Sequence, residues 1–174
     1  MRLAAESAWG DVPVAVGSLR LREVELGAVT EVLPLAGKDV SAALEQAVGV
    51  GFPGPGTSNS TGNIRVLWAG REAALVIGAR LELDGAVCVD QSDGWAALEL
   101  QGAVRSVLAR LCPLDLREGQ FPTGATARSL LNQVTVSLTR IGDECWLLLV
   151  PRSMTGTVLD EIVTTAESVA ARQE

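Results

Sequence analysis

The sequence predicts an α+β domain in which antiparallel strands form one or more sheets and the helices pack on one face. Three groups of strand-like segments are each followed by one amphipathic helical stripe, an order typical of α+β folds. The chain has 174 residues, of which 48% are hydrophobic, so it can bury a core without disulfides or metals. We expect an irregular segment at residues 1–18 and a single domain at residues 19–171.

Eight segments are predicted as strands, because their apolar residues alternate with polar ones or form short continuous runs. In residues 134–139 every second position is apolar and the others are Ser or Thr, which predicts a strand with one solvated face. Residues 145–150 are apolar throughout and predict a central strand. The predicted strands are 19–26, 29–35, 64–69, 73–78, 86–91, 95–101, 134–139 and 145–150.

An amphipathic helix is predicted after each of the three groups of strands. The first begins after Asp39, a plausible N-cap, and ends at Gly49, since glycine readily adopts the left-handed conformation that closes a helix. The second follows Gly102 and is closed by the next proline, and the third begins at about Ser153. Residues 49–62 are rich in glycine, proline and serine and predict one long loop.

Charge and composition exclude several classes of protein. The formal net charge is −7 and the arginines are scattered singly, so no surface for nucleic acid is expected. No apolar run approaches the ~20 residues that cross a bilayer, and residues 1–7 lack the apolar core of a secretory signal. We therefore expect a cytoplasmic protein without a membrane segment. Its Cys88, Cys112 and Cys145 are predicted to be reduced, buried thiols.

Candidate catalytic groups are few. The sequence contains no histidine, which removes histidine-dependent triads and most zinc or iron sites. The carboxylates of Asp90, Asp93 and Asp115 offer acid–base chemistry in principle, but their positions favour turns and loop hydrogen bonds. Cys112 ends a helix, where a structural thiol is favoured over a reactive one. We therefore predict no catalytic, cofactor-binding or metal-binding residue in this chain.

Two further features have structural interpretations. Residues 49–54 fit the G-x-G-x-x-G pattern, but they follow a helix, whereas a dinucleotide site needs the motif between a strand and a helix. Trp68, Trp95 and Trp146 lie within predicted strands and are expected in the core or in an interface. Trp9 lies in the irregular N-terminal segment, where it could anchor the chain onto a partner.

Several ordered stretches carry a resemblance to a known family. Cys112–Leu116 reads Cys-Pro-Leu-Asp-Leu and Pro151–Ser153 reads Pro-Arg-Ser; these two are the most specific. In this order and spacing the stretches resemble the gamma subunit of heterotetrameric sarcosine oxidase, over about residues 19–165. One departure lies at residues 71–74, Arg-Glu-Ala-Ala, where the family has a turn similar to Pro-Asp-Glu-Trp. The full set of stretches is 21–30, 66–70, 89–102, 111–116, 121–122, 127–131 and 150–153.

The resemblance implies a fold similar to the folate-binding domain of aminomethyltransferases and a place in a complex of four different subunits. Such a complex oxidises sarcosine to glycine and forms hydrogen peroxide, while the methyl carbon leaves as formaldehyde or is passed to tetrahydrofolate. FAD, covalent FMN and NAD are then held by the alpha and beta subunits. The gamma chain is expected to pack chiefly against alpha, in a complex with beta and delta, and to have a structural role.

Two alternatives stay open. The chain could be a stand-alone folate-binding domain of aminomethyltransferase type, because the implied fold is shared and the loop at 49–62 is long. Against this, the matched region covers only one lobe of that larger architecture. The chain could also be a homo-oligomer without a role in an enzyme. A tetrahydrofolate titration tests the first alternative, and dependence on partners for solubility tests the second.

Overall fold

The computed structural model describes residues 7–10 and 12–172. Its strands are β1 (Val14–Val16), β2 (Leu19–Val24), β3 (Val29–Pro34), β4 (Ser58–Thr61), β5 (Ile64–Gly70), β6 (Ala73–Ile77), β7 (Ala86–Asp90), β8 (Trp95–Gln101), β9 (Thr126–Leu131), β10 (Val134–Gly142) and β11 (Cys145–Pro151). Its helices are α1 (Ser41–Val48), α2 (Val104–Leu111) and α3 (Thr155–Ala170), and a 3₁₀ helix at Arg152–Met154 precedes α3.

The strands form two sheets in which all neighbours are antiparallel. The first sheet has the order β1-β2-β8-β11-β10-β9, and the second has the order β4-β5-β6-β3-β7. The chain passes from the first sheet to the second between β2 and β3, and it returns between β7 and β8. These features confirm the predicted α+β class with antiparallel sheets.

The core divides into three parts, which define four layers. Helices α2 and α3 cover the outer face of the first sheet, where Leu98, Trp146 and Ile162 are fully buried. The inner faces of the two sheets pack against each other through residues such as Leu75 and Leu149. Helix α1 covers the outer face of the second sheet. Leu44 of the helix and Val40 before it pack with Val32 of β3 and Val76 of β6. Each sheet therefore carries helices on one face and the other sheet on its second face.

Three strands escaped the sequence analysis. β1 lies inside the segment 1–18 that was expected to be irregular, and β4 lies inside the loop predicted at 49–62. β9 reads Thr-Ala-Arg-Ser-Leu-Leu, without the period of two that marks a strand. These strands are held by pairing with β2, β5 and β10 rather than by a pattern of their own. The prediction of an irregular segment and of a loop reaching residue 62 was therefore wrong at these positions.

Two predictions about burial were also wrong. Trp9 is only 3% exposed and belongs to the core beneath α2 and α3, so it does not anchor the chain onto a partner. β10 was expected to have a solvated face, but Ser137 and Thr139 are buried because the second sheet covers that side. The hydroxyl of Thr139 lies 2.7 Å from that of Thr126, which satisfies both groups without water.

The helix ends follow the sequence closely. α1 has Val40 rather than Asp39 at the N-cap position, yet the Asp39 carboxylate still accepts the backbone N–H of Ser41 at 2.9 Å. It ends at Gly49, whose φ of 82° is the expected left-handed cap. α2 spans the predicted stripe, and α3 begins after the short 3₁₀ turn. No helix in the described part of the chain is long and apolar enough to cross a membrane.

Candidate functional site

Stretches from three parts of the sequence meet where β8 begins and β11 ends. Trp95 is the register partner of Pro151, and the backbone N–H of Arg152 donates to the Gly94 carbonyl at 3.0 Å. A cleft of about 490 Å³ opens beside this junction, next to the connection between β2 and β3. We call it the first cleft; its lining includes Ser7, Glu23, Glu25, Ser92, Trp95 and Arg152.

The turn between β7 and β8 is built around Asp90. Its carboxylate accepts the backbone N–H of Ser92 at 3.0 Å and the hydroxyl of Ser92 at 2.5 Å, and it pairs with Arg80 at 3.0 Å. The Ser92 oxygen in turn accepts the backbone N–H of Val29 at 3.0 Å. Asp90 is thus the turn-forming residue that the sequence predicted.

The same contacts keep Asp90 from acting as a base toward Ser92. The Ser92 hydroxyl, then the Ser92 backbone N–H, and the charge of Arg80 hold the Asp90 pKa below its ordinary value. A carboxylate whose pKa is depressed is a weak proton acceptor at neutral pH, so it does not activate the neighbouring hydroxyl as a nucleophile. The pair organises the turn rather than a reaction.

The N-terminal segment closes one wall of the first cleft. Glu23 accepts the Ser7 hydroxyl at 2.6 Å and the Ala8 backbone N–H at 3.3 Å. The Thr155 hydroxyl at the start of α3 donates to the Ala8 carbonyl at 2.6 Å. Residues 7–9 therefore connect β2 with the beginning of α3, and the carboxylate of Glu23 is already engaged.

Arg140 is a buried cation that the sequence analysis missed. Its side chain is 1% exposed and donates to the backbone carbonyls of Phe121, Gly142 and Asp143 at 3.0–3.1 Å. The guanidinium also lies 5.9 Å from the centre of the Trp146 ring, and Phe121 stacks on that ring at 5.3 Å. This one side chain therefore fixes the loop between α2 and β9 onto the first sheet.

The loop itself begins with the Cys-Pro-Leu-Asp-Leu stretch. Asp115 accepts two hydrogen bonds from the Arg117 Nε, at 2.9 and 3.0 Å, and one from its backbone N–H at 3.1 Å. The Arg117 side-chain hydrogen bonds are the largest cause that lowers the Asp115 pKa to about 2. Asp115 is thus ionised and bound at neutral pH, in agreement with the predicted loop-forming role.

The three cysteines differ in burial, which corrects the expectation that all are buried. Cys112 lies at the end of α2 in the core, where desolvation raises the pKa of its thiol to about 11. Cys88 and Cys145 are only partly buried, and none of the three forms a disulfide. Burial, followed by the charge of Glu99, raises the pKa of the Cys145 thiol. Raised pKa values leave Cys112 and Cys145 protonated and weakly nucleophilic.

The glycine-rich stretch does not form a nucleotide cradle. Gly49 caps α1, and the backbone N–H of Phe52 donates to the Ser41 hydroxyl at 3.0 Å. The Asn59 amide donates to the Gly51 carbonyl at 3.0 Å. The chain then continues into β4 and not into a helix, so backbone N–H groups do not converge at a helix N-terminus.

An exposed apolar surface lies on β7, an edge strand of the second sheet. Val87 and Val89 are 48% and 37% exposed. Ala86 and Cys88 face the core beneath α1, so the two valines project from the opposite face of the strand. Their register partners on β3 are Leu33 and Glu31. The strand thus combines an unpaired edge with an apolar face.

Catalytic chemistry finds little support in the side chains that the structure describes. Among these residues no group of three or more cysteine, aspartate or glutamate side chains could hold a metal ion. Asp90 and Asp115 each pair with their own arginine, Arg80 and Arg117, and Asp93 is an exposed turn residue. Asp90 and Asp115 are therefore each engaged by an arginine side chain.

Comparison with known proteins gives the family. Residues 35–162 match the sarcosine oxidase, gamma subunit family. The chain belongs to this family. The sarcosine oxidase subunit gamma of Corynebacterium sp. (strain P-1) is 33% identical over 153 residues, which are 80% of this chain and 75% of that protein. The subunit gamma of Arthrobacter sp is 30% identical over 147 residues, or 76% of this chain and 72% of that one.

The fold is shared with a solved structure. A chain of the heterotetrameric sarcosine oxidase from Corynebacterium sp. U-96, in complex with pyrrole 2-carboxylate, superposes with a TM-score of 0.82. The match covers 95% of this chain and 96% of that chain, at 22% sequence identity. The four-layer arrangement is therefore the fold of the family across almost the whole chain.

The departure from the family's pattern falls on the hairpin between β5 and β6. Arg71 and Glu72 form its tip, and both are exposed. Glu72 has a φ of 52°, a left-handed conformation in which a large side chain is uncommon. The hairpin remains closed, since Gly70 still pairs with Ala73. The sequence Arg-Glu-Ala-Ala at residues 71–74 therefore closes this hairpin without opening the sheet.

Proposed function

We propose that this chain is the gamma subunit of a heterotetrameric sarcosine oxidase complex and that its role is structural. One observation carries the proposal: the family match extends over residues 35–162, and the same fold occurs in a chain of a heterotetrameric sarcosine oxidase. Its partners would be the alpha, beta and delta subunits, chiefly alpha. The reaction of the complex is the oxidative demethylation of sarcosine to glycine, with hydrogen peroxide and either formaldehyde or methylene-tetrahydrofolate as further products.

The proposal assigns FAD, FMN and NAD to the alpha and beta subunits, with tetrahydrofolate as a co-substrate there. It is supported by the side chains of this chain, which has no histidine and whose Asp90 and Asp115 are each held by an arginine. The partly exposed, unbridged thiols of Cys88 and Cys145 support a location in the cytoplasm, where thiols stay reduced. We further propose that residues 19–171 fold as one domain.

The edge strand β7 is the surface that we assign to a neighbouring subunit. Natural proteins protect sheet edges with lysine, proline, bulges or a covering segment. Residues 86–90 read Ala-Val-Cys-Val-Asp and pair with β3 in continuous register, so they contain no lysine, proline or bulge, and their one charge, Asp90, lies at the end of the strand. The two edges of the first sheet are better protected, because β1 has three residues and β9 lies against β5 through a hydrogen bond from Arg128 to the Ala69 carbonyl at 3.3 Å.

Charge indicates what kind of segment would lie on this strand. Acidic side chains flank the two valines, at Glu31 opposite Val89 and at Asp84 before the strand. Among the described residues, Arg80 is already paired with Asp90, and the Lys38 stem lies beside Gly85 before the strand. An extended segment that carries apolar residues and a basic flank would complement the strand edge through main-chain hydrogen bonds and side-chain contacts.

Co-expression tests the function. The alpha, beta and delta subunits are produced with and without this chain, captured through a tag on alpha, and assayed for sarcosine-dependent hydrogen peroxide. We expect one complex of four subunits, and loss of both assembly and activity when this chain is omitted. An intact, fully active complex without it would contradict the proposal. Saturable binding of tetrahydrofolate by the chain alone would instead support a folate-binding domain.

A further inference from the structure

A second cleft lies on the other side of the connection between β2 and β3. It opens between the two sheets and has a volume of about 490 Å³, within the range of small-molecule sites. Apolar side chains form most of its walls: Leu26, Ile77, Ile141 and Leu147. Its charged lining residues are Arg65, Glu25 and Glu99. The cleft thus combines apolar walls with a small number of charged groups.

Arg65 is the unusual member of this set. It lies on β5 opposite Ile77 and is partly buried. Among the described residues it forms no ion pair, and its side chain makes no hydrogen bond within ordinary distance. Desolvation lowers its pKa, and the neighbouring Cys145 thiol acts in the opposite direction. A guanidinium that is partly withdrawn from water and has no ion-pair partner offers its donors to an anion.

The acidic residues of the cleft do not fill this role. Glu99 is already bound by Arg22 at 3.0 Å and by the Gln101 amide at 2.9 Å. Glu25 is exposed on the connection between the sheets and makes no ion pair with any described residue. Arg65 lines the cleft and its donors meet no partner among the described residues, and the planar fork of a guanidinium matches a carboxylate.

We propose that the second cleft binds a small carboxylate with an apolar body, whose carboxylate is received by Arg65. The apolar part of such a ligand would lie against Ile77, Ile141 and Leu147, and the anion would neutralise the guanidinium. A neutral compound of the same shape lacks the charge that Arg65 requires. This inference stands apart from the proposed subunit role, since it rests only on side chains of this chain.

Thermal unfolding of the full chain tests the inference, with benzoate as the probe and benzamide as its uncharged analogue. A ligand that binds only the folded state raises the unfolding midpoint, on the order of 5 °C at a hundredfold excess over its Kd. We expect a saturable rise with benzoate and none with benzamide. Arg65→Met should abolish the rise, and Arg65→Gln should do the same. Arg110→Met, an exposed arginine on α2, should leave it unchanged.

The variants also separate a ligand site from a structural role. Because Arg65 has no counter-ion, Arg65→Met should keep or raise the unfolding midpoint without ligand. A large drop in that midpoint would show that Arg65 supports the fold and would overturn the inference. An equal response of wild type and Arg65→Met to benzoate, or no response of either, would overturn it too. Loss of subunit assembly in Arg65→Met, without any benzoate effect, would assign the cleft to a partner's acidic side chain instead.

Discussion

Arg140 shows how much of a loop one side chain can organise. The segment between α2 and β9 contains neither helix nor strand, yet it carries the Cys-Pro-Leu-Asp-Leu stretch that is among the most specific parts of the resemblance. Arg140 donates to one carbonyl of this loop, that of Phe121, and to two at the turn after β10. Its charge is balanced at the surface by Glu118 at 3.6 Å. The loop is thus held by a polar network whose centre is a buried cation.

We predict that Arg140→Met destabilises the chain by roughly 3 kcal/mol, because it leaves the buried Phe121 carbonyl and two partly buried carbonyls without a donor. Chemical unfolding of the purified chain measures this free energy. Arg110→Met is the matched control, since Arg110 is exposed and bonds only to the carbonyl of Ser106 in its own helix; surface changes of this kind stay within about 0.5 kcal/mol. Equal stability of the two variants would show that the Arg140 network does not hold the loop.

Single residues were predicted well where the reason was local, and poorly where it was not. Asp90 and Gly49 have their predicted roles because a turn and a helix end depend on neighbouring residues. Arg140 and Arg65 could not be recognised as special, because the groups around them come from distant segments. Arg140 meets Phe121 across 19 residues, and Arg65 lies opposite Ile77 on another strand. Burial of a charge is a property of the assembled fold.

Among the elements, periodicity predicted those that are long or continuously apolar. All eight predicted strands and all three helices occur in the structure with small changes at their ends. The missed strands β1 and β4 have three and four residues, too few to show a period of two. The burial of Ser137 on β10 was missed because a sequence shows which residues alternate, but not how many layers cover each face.

The Asp115–Arg117 pair gives the loop after α2 a predictable response to acid. The Asp115 pKa lies at about 2 in the folded chain, against an ordinary value of 3.8. A carboxylate whose pKa is lowered by folding stabilises the folded chain above pH 3.8, and this contribution is lost as the pH falls toward 2. We therefore expect Asp115→Asn to be less stable than wild type at neutral pH and to lose less stability between pH 4 and pH 2.

Unfolding midpoints measured at intervals from pH 7 to pH 2 test this prediction. Asp160→Asn, which removes an exposed carboxylate from α3, is the matched control and should follow the wild-type curve. If Asp115→Asn lost as much stability as wild type between pH 4 and pH 2, the pair with Arg117 would not stabilise the folded loop. Because both side chains are solvent-exposed, added salt should weaken the difference between the variants.

At the scale of the whole molecule, the two sheets leave parts of their inner faces uncovered. On the first sheet the uncovered part is polar: Leu19 and Leu21 face the helices, so Arg20 and Arg22 lie on the inner side, where Arg22 pairs with Glu99 at 3.0 Å. On the second sheet the uncovered part is the apolar side of β7. Polar side chains on an open face are satisfied by water, whereas an apolar edge strand favours association.

This difference between the two open faces predicts that assembly of the complex depends on β7. Val87→Asp combined with Val89→Asp places two charges on the exposed face of β7, next to Glu31. Because both valines are already 37–48% exposed, the folded chain should keep its unfolding midpoint within a few degrees. Docking of an apolar segment, however, would then bury unpaired carboxylates. We expect the double variant to be lost from the complex captured through tagged alpha, and sarcosine-dependent peroxide production to fall with it.

Leu130→Asp provides the control that makes this result specific. Leu130 is 46% exposed on β9, at the far edge of the first sheet, so the substitution matches one of the two valine changes, Val87→Asp, in charge and in exposure. It should remain in the captured complex if association runs through β7. Retention of the β7 double variant together with loss of Leu130→Asp would move the interface to the first sheet. If both variants remained in the captured complex, β7 would not be a subunit contact. It would then be an open strand edge that tolerates added charge in the assembled complex.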